Sequence, residues 1–333
     1  MLQQTFKEDD IRPSNLMIDF KNYMKEDIKY INDKKKSFVR VNCPACDSNL
    51  FKAKFRKYNM EYCECKKCKT VYINPRPTEN ILIGFYKQSK SYRYWNDVIF
   101  PASEKTRRLK IFKPRVNKTV RICQKYSIPT NTLIEVGCGF GSFLEELASK
   151  NMFNKIVGIE PNPDLAATCR KKGLKIIEKT IEEVPENTLE ADIVVSFEVI
   201  EHIFSPSKFL RSCNKILKRG GIVVITCPNI LGFDIQTLGK KSDAIDVEHL
   251  NYFNPNSLSS LLEKSGFVVM EKQTPGVLDA DLVKNKIKSG FFSLNNSFLE
   301  SIIFGETKVV RSFQKFLQEN LLSSNMLLIA RKL

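Results

Sequence analysis

The sequence is poor in histidine, with two in 333 residues, and it holds a single tryptophan. It also lacks any apolar run near the roughly 20 residues that a membrane-spanning helix needs. Its opening, Met1–Glu8, has no apolar core of a secretory signal. These absences argue against a membrane-spanning or exported chain, and the expected compartment is the cytoplasm. The scarcity of histidine narrows the search for a base that works near neutral pH to His202 and His249.

Other features are ordinary or plentiful. A 42% apolar and 27% charged composition suits a globular protein, and the length allows a real core and two domains. The net charge of +16 is lopsided. Residues 1–120 carry 27 Lys/Arg against 13 Asp/Glu, and the remaining residues carry 26 against 24. A basic N-terminal third suits a polyanion such as RNA, a sugar nucleotide or a membrane surface. A solvated lysine-rich surface is the plainer explanation.

Five of the ten cysteines fall between Cys43 and Cys68. Cys43-Pro44-Ala45-Cys46 and Cys65-Lys66-Lys67-Cys68 are two C-x₂-C pairs at the spacing of a four-cysteine zinc ribbon. Two thiolates three residues apart in a tight turn can bind one metal, and two such turns complete a tetrahedron. Between them Phe51–Tyr58 alternates apolar and basic residues, as a ribbon strand would. Redox use of the pairs is the competing reading, but no thioredoxin-like βαβ context surrounds them. Cys63 is a spare that competes with Cys65. A closed four-cysteine site has a structural role, because no coordination position is left for chemistry. The scattered cysteines (Cys123, Cys138, Cys169, Cys213, Cys227) read as small buried apolar residues.

The chain divides, on this reading, into an N-terminal segment (1–40), a zinc ribbon (41–75), a helical connector (76–126) and an α/β domain (127–333). Apolar residues at helical spacing predict one amphipathic helix over Asn15–Asn32. Residues 102–126 read as helix, broken or restarted at Pro114, with Arg107, Arg108, Lys110, Lys113 and Arg115 on a basic surface. From 131 to 272 strands and helices alternate. Strands are expected at 132–136, 155–160, 174–178, 191–197, 221–227 and 267–271, and a last one at 325–331. The strands are near-continuous apolar runs, as expected where helices cover both faces of a parallel sheet. Residues 273–324 read as a mostly helical insertion, a lid or an oligomer face.

Leu133-Ile134-Glu135-Val136-Gly137-Cys138-Gly139-Phe140-Gly141-Ser142-Phe143-Leu144 reads as strand, glycine-rich turn and helix start. Glu-x-Gly-x-Gly-x-Gly differs from the dinucleotide fingerprint, whose last two glycines are separated by two residues. This stretch resembles the class I S-adenosylmethionine-dependent methyltransferases. The resemblance implies that Glu135 helps hold the loop and that Gly137, Gly139 and Gly141 curl under the methionine part of the cofactor. It also implies a Rossmann-like α/β fold, a seven-stranded methyltransferase sheet with helices on both faces, here preceded by the small zinc ribbon. In that fold the last strand enters antiparallel between the fifth and sixth.

Glu160 ends the second strand of the α/β domain, where a carboxylate can accept both ribose hydroxyls through its two oxygens. The acidic residue that the family often places after the third strand is missing. Thr180 and Ile181 lie nearest that position, so the adenine contact would be to backbone. Phe197-Glu198-Val199-Ile200-Glu201-His202-Ile203 follows the fourth strand and closely resembles a segment of one branch of these enzymes, so Glu198 or Ser196 would line the cofactor pocket. His202 is either a packed structural residue or a base. Glu248-His249 with Tyr252-Phe253 resembles a segment of sugar methyltransferases, including deoxysugar C-methyltransferases that also carry an N-terminal zinc module. There the glutamate–histidine pair serves proton transfer. A sugar hydroxyl is a poor nucleophile, and a base of near-neutral pKa within hydrogen-bond reach accelerates its attack.

The expected protein is thus a methyltransferase using S-adenosylmethionine, with one structural zinc and a small-molecule or sugar-nucleotide acceptor of surface polysaccharide synthesis. O-methylation is favoured over C-methylation, because Val247 replaces the aromatic residue that precedes the pair in the C-methylating relatives. An RNA methyltransferase and a non-catalytic cofactor-binding adapter are the alternatives.

Overall fold

The computed structural model describes residues 7–186 and 188–333. Six residues of the expected N-terminal segment therefore lie outside the description. The strands, in chain order, are β1 (Phe51–Lys57), β2 (Met60–Cys65), β3 (Val71–Ile73), β4 (Thr132–Val136), β5 (Lys155–Ile159), β6 (Ile176–Ile177), β7 (Ala191–Phe197), β8 (Leu217–Pro228), β9 (Asn251–Tyr252), β10 (Phe267–Gln273) and β11 (Asn325–Lys332). They form two sheets. One is four-stranded, in the order β1-β2-β3-β9, and the other is seven-stranded, in the order β10-β11-β8-β7-β4-β5-β6.

The chain forms two compact units that cut across a linear division. One contains Arg107–Cys227, Pro255–Lys272 and Leu327–Leu333. The other contains the residues up to Thr106, Pro228–Asn254 and Gln273–Met326. The ribbon and the insertion thus belong to one unit, together with the Glu248-His249 segment.

The first unit is the α/β layer. β4 pairs in parallel with β5 on one side and β7 on the other, β5 with β6, and β7 with β8. β4 and β7 are buried along their whole length, as apolar runs covered by helices must be. The last strand, β11, lies between β8 and β10, the place expected for it. The expected strand at 174–178 shrinks to Ile176–Ile177, because Lys175 and Glu178 are exposed and only the two isoleucines pair with β5. The chain runs from β4 to one side of the sheet and then restarts at β7 on the other. The carboxyl ends of β4 and β7 therefore flank a topological switch point, where open α/β sheets bind ligands.

The second unit is built around the ribbon. β1 and β2 form a hairpin closed by Tyr58 and Asn59, both at positive φ, as a two-residue turn matching strand twist requires. The amphipathic helix Leu16–Asp33 is close to the predicted span. Its buried Asp27 receives hydrogen bonds from both hydroxyls of Ser89 and Ser91 and from the backbone N–H groups of Lys90 and Ser91, at 2.5–3.0 Å. The insertion is helical as expected, over Asp279–Lys288, Ser297–Ile303 and Thr307–Glu319. Leu238, Val283 and Ile303 form its small core.

Two buried carboxyls in this unit share a hydroxyl. Ser324 Oγ lies 2.5 Å from Asp279 Oδ1 and also bonds Asp234 Oδ1. A hydroxyl has one proton to donate, so the second carboxyl must bring its own. Burial, with the Asp279 charge nearby, pushes Asp234 from 3.8 up to about 6. The folded state then keeps a proton that the unfolded chain releases. Stability contributed by this proton is complete at low pH and lost as pH rises from about 4 to about 6, roughly 3 kcal/mol in all. Asp234→Asn, which mimics the protonated group, is expected to flatten that dependence and to stabilise the chain above about pH 6. Urea unfolding on both sides of this window tests it, and an unchanged pH dependence would contradict it.

Candidate functional site

At the switch point the sequence Gly137-Cys138-Gly139-Phe140-Gly141 leaves β4 as a tight loop. All three glycines sit at positive φ, +76°, +53° and +71°. A Cβ on Gly137 would lie 2.5 Å from Val199 Cγ2, so the loop packs directly on the chain that leaves β7. Gly141 is similarly crowded by Leu174 and Cys169. Gly139 differs, because a Cβ there would meet nothing within 4 Å. Its left-handed backbone and open side together leave bare peptide facing free space.

The loop is fixed from several sides. Gly137 N–H donates to Ile159 O at 2.8 Å, the Cys169 thiol donates to Gly139 O at 3.1 Å, and Lys172 Nζ donates to Phe140 O at 3.1 Å. Glu160, buried at the end of β5, accepts from Gly139 N–H (2.9 Å, Oε2) and from Asn162 N–H (3.0 Å, Oε1). Burial raises its pKa, and these two N–H groups hold it back. Each carboxylate oxygen keeps a further lone pair for a ligand.

Glu135 on β4 is 4% exposed, and its Oε2 has no hydrogen-bond partner. Burial drives its pKa well above the ordinary carboxylate value, and the Arg115 guanidinium opposes that shift. Ser142 Oγ, at the start of the following helix, is also buried without a partner. Unsatisfied buried polar atoms carry a cost, and a ligand with polar groups would relieve it. Glu198 follows β7 at φ +57°. Its Oε1 accepts from Thr226 Oγ1 at 2.5 Å and lies 3.7 Å from the Arg115 guanidinium, which stands 4.9 Å from the Phe197 ring centre. Ser196 instead faces the sheet interior, donating to Val136 O at 3.1 Å.

Thr180 and Ile181 follow β6, which borders β5 at the edge of the seven-stranded sheet. Thr180 caps the short turn Ile181–Glu183, and both its N–H and its hydroxyl donate to Glu183 Oε2, which holds the Glu183 carboxyl below its ordinary pKa. Ile181 is buried.

Arg115 is the residue that sequence reasoning misplaced. It was expected on a basic surface with Arg108, but both turn toward carboxylates of the α/β unit. Arg108 Nε donates to Glu146 at 2.8 Å. The helix restarts at Lys113, with Pro114 in its first turn, after a π-helical stretch over Arg108–Phe112. That stretch widens the helix just before Lys113.

In the ribbon unit, Cys43, Cys46, Cys65 and Cys68 bring their Sγ atoms within 4.8 Å of one another. The Cys43–Cys68 and Cys46–Cys65 sulfurs are 3.4 and 3.5 Å apart. A tetrahedral ion with bonds of about 2.3 Å to sulfur sets its ligands roughly 3.8 Å apart, so the cluster has the size of such a site. The two turns are alike. Asp47 N–H and Lys69 N–H donate to the carbonyls of Cys43 and Cys65, and Asp47 and Lys69 have φ near one another, 64° and 63°. Cys63 is buried apart from them, its thiol directed at Asn74 O at 3.7 Å. Cys65, and not Cys63, thus belongs to the four-thiol cluster.

The Glu248-His249 segment joins this same sheet. β9 pairs antiparallel with β3, Asn251 opposite Tyr72 and Tyr252 opposite Val71. Asn254 Nδ2 donates to Cys68 O at 2.9 Å, and Tyr62 Oη to Asp246 O at 3.1 Å. Lys57 Nζ donates to Ser242 O at 3.0 Å and to Ile245 O, and burial lowers its pKa to about 8. The ribbon thus grips the loop on both sides of His249.

His249 Nδ1 lies 2.9 Å from Ala244 O. A carbonyl only accepts, so Nδ1 carries the proton and Nε2 is the basic nitrogen of the neutral ring. Nε2 is 3.5 Å from Asp246 Oδ2. Asp246 Oδ1 accepts the backbone N–H groups of Glu248 (2.9 Å) and His249 (2.8 Å). Asp246, which sequence reasoning did not single out, is therefore a carboxylate partner of the ring. Glu248 is pushed up to about 8 by burial, with Asp246 and Asp27 adding to it. A carboxyl in that range holds or releases a proton near neutrality.

Comparison with known proteins places this geometry. A protein of Mycobacterium tuberculosis named "Probable S-adenosylmethionine-dependent methyltransferase" is 26% identical over 138 residues, covering 41% of this chain and 48% of that one. The human mitochondrial ubiquinone biosynthesis O-methyltransferase is 31% identical over 154 residues, covering 41% of each chain. The chain thus spans about half the length, or less, of these curated relatives. A solved methyltransferase from Archaeoglobus fulgidus aligns over 71% of this chain and all of that one, with 21% identity and a TM-score of 0.48. The family model described as "Methyltransferase domain" matches residues 101–272. That span is just over half of the chain and contains the glycine loop, Glu135, Glu160 and Glu198, and the chain belongs to this methyltransferase family.

Proposed function

We propose that the protein transfers a methyl group from S-adenosylmethionine to a hydroxyl of a small acceptor, with a sugar or nucleotide-linked sugar as the acceptor class. The observation that carries the reading is the switch-point cluster: an open glycine at Gly139, Glu160 bonded to that same peptide, and a buried Glu135 oxygen without a partner. When bound there, S-adenosylmethionine supplies an electrophilic methyl on a positively charged sulfur. Glu160 accepts the ribose hydroxyls, and Glu135, with Arg115 and Glu198 around it, sets the charge at the loop. The four-cysteine cluster holds one zinc ion and has no coordination position left for chemistry.

His249 Nε2 takes the proton of the acceptor hydroxyl. Its tautomer is fixed by the Ala244 carbonyl, and Asp246 stabilises the imidazolium that forms. Glu248 is the second proton-handling group of the segment. The sugar reading rests on the Glu248-His249-x-x-Tyr252-Phe253 segment, and the choice of oxygen over carbon rests on Val247. The chain of the N-terminal third that would favour RNA partly spends its charge internally, since Lys52 and Lys54 both pair with Glu64.

His249→Ala is expected to spare cofactor affinity and to cut turnover by 10²–10⁴-fold, the usual range for a general base, roughly. Tritium transfer from labelled S-adenosylmethionine, screened over sugar nucleotides and RNA, measures it. Wild-type turnover in the variant removes the base role, and labelling of RNA alone overturns the sugar assignment.

A further inference from the structure

We infer that the helical insertion is a docking face for the surface of an anionic lipid bilayer, a property that stands apart from the reaction proposed above. Four of the five exposed phenylalanines among the described residues fall in this one stretch: Phe291, Phe298, Phe304 and Phe316. Phe298 is 73% exposed and Phe316 51%. Scattered single apolar residues on a surface mean little, but a concentrated set marks an interaction face.

The helix Thr307–Glu319 shows how the set is arranged. At about 100° per residue its side chains fall into three sectors. Val310, Gln314 and Leu317 point to the unit's own interior. Leu317 is buried, and Gln314 Nε2 donates to Gly276 O at 2.9 Å and to Asp279 at 2.5 Å. Val309, Phe313 and Phe316 form a second sector, with Val309 and Phe316 exposed. Ile302 of the preceding helix joins Val309 and Phe313 in lining one open depression. Lys308, Arg311 and Lys315 form the third, and all three are exposed. The acidic residues nearby are Glu306 at the helix start and Glu319, which lies 3.5 Å from Lys315.

An exposed apolar ridge beside a basic strip, along a single helix, is the pattern of a helix lying in a membrane interface. Phenylalanines enter the headgroup boundary while the cations stay with lipid phosphates. Lys284 Nζ stands 5.3 Å from the Phe304 ring centre, and Lys286 Nζ, which also pairs with Asp243 at 2.7 Å, stands 5.1 Å from that of Phe291. Charge decides between a bilayer and a second copy of this chain. A twofold contact that pairs this helix antiparallel with its copy would set basic strip against basic strip, and a parallel one would set each strip against the partner's own surface without an acidic strip to meet it. An anionic surface complements it.

The test is co-sedimentation of the full chain with large vesicles, either phosphatidylcholine alone or phosphatidylcholine with a minority of phosphatidylglycerol. The expected result is partition onto the anionic vesicles only, weakened by added salt. Lys308→Glu, Arg311→Glu and Lys315→Glu together are expected to weaken partition on the order of a hundredfold, from roughly fivefold per basic residue. These positions are exposed, so the triple variant keeps its fold, and Phe298→Ser with Phe316→Ser is an independent second variant with the same expected loss. No partition of the wild type onto anionic vesicles overturns the inference. So does equal partition of wild type and both variants, or a concentration-dependent dimer that the phenylalanine changes dissolve.

Discussion

If the four-cysteine cluster holds zinc as proposed, Cys65→Ser is expected to abolish metal binding and, with it, turnover, although the ribbon takes no direct part in the chemistry. Structural zinc sites contribute on the order of 10 kcal/mol to folding, more than a small ribbon gains from its apolar core. Cys65 stands on β2, and the loss travels through the sheet. β2 pairs with β3, β3 with β9, and β9 ends the segment that holds His249. The Asn254 bond to Cys68 O, the Tyr62 bond to Asp246 O and the Lys57 bonds to Ser242 and Ile245 all fall with the ribbon. β9 itself is two residues long and is a strand only through its pairing with β3. The expected readout is no zinc by metal analysis, an early thermal transition, and turnover reduced by at least the general-base contribution of about 10²-fold. Affinity for S-adenosylmethionine should stay close to wild type, because the glycine loop belongs to the other unit. Full zinc occupancy would mean that Cys63 can replace Cys65, and turnover without zinc would detach the ribbon from the reaction.

Gly139→Arg is expected to raise the dissociation constant for S-adenosylmethionine at least about a hundredfold, nearly 3 kcal/mol, while the chain stays folded. The position allows this separation. Its φ of +53° costs an L-residue roughly 1–2 kcal/mol, and a side chain added there meets no protein atom at first contact. The arginine therefore enters the space that the ligand would fill, beside Glu160. Gly137→Ala is the contrast. Its methyl would lie 2.5 Å from Val199 Cγ2, between the two central strand ends, so it should lower the melting temperature before it reveals anything about binding. Unchanged affinity in Gly139→Arg would sink the placement of the cofactor.

Much of this was readable from the sequence, and the limits have physical causes. The central strands are legible because β4, β7 and β8 are apolar runs buried by helices on both faces. The four-cysteine cluster is legible because two C-x₂-C turns bring their thiols together. β9 is not, because Asn251 and Tyr252 have no strand pattern of their own and become a strand only by pairing with β3, far away in sequence. Asp246 was passed over for a related reason. Its position opposite the His249 ring follows from a turn in which its own side chain accepts two backbone N–H groups. Arg115 reads as surface because charge alone does not tell which way a helical residue faces, and its contacts with Glu198 and Phe197 come from distant parts of the chain. The polar pattern of Lys175 and Glu178 explains why the expected third strand is only two residues long.

The direct test of the account is calorimetric titration of the purified chain with S-adenosylmethionine and S-adenosylhomocysteine, with zinc measured on the same sample. Micromolar, one-to-one binding of both ligands and one zinc per chain are expected. A chain that binds neither ligand would contradict it, since the open glycine and the buried carboxylates at the end of β4 would then serve no cofactor.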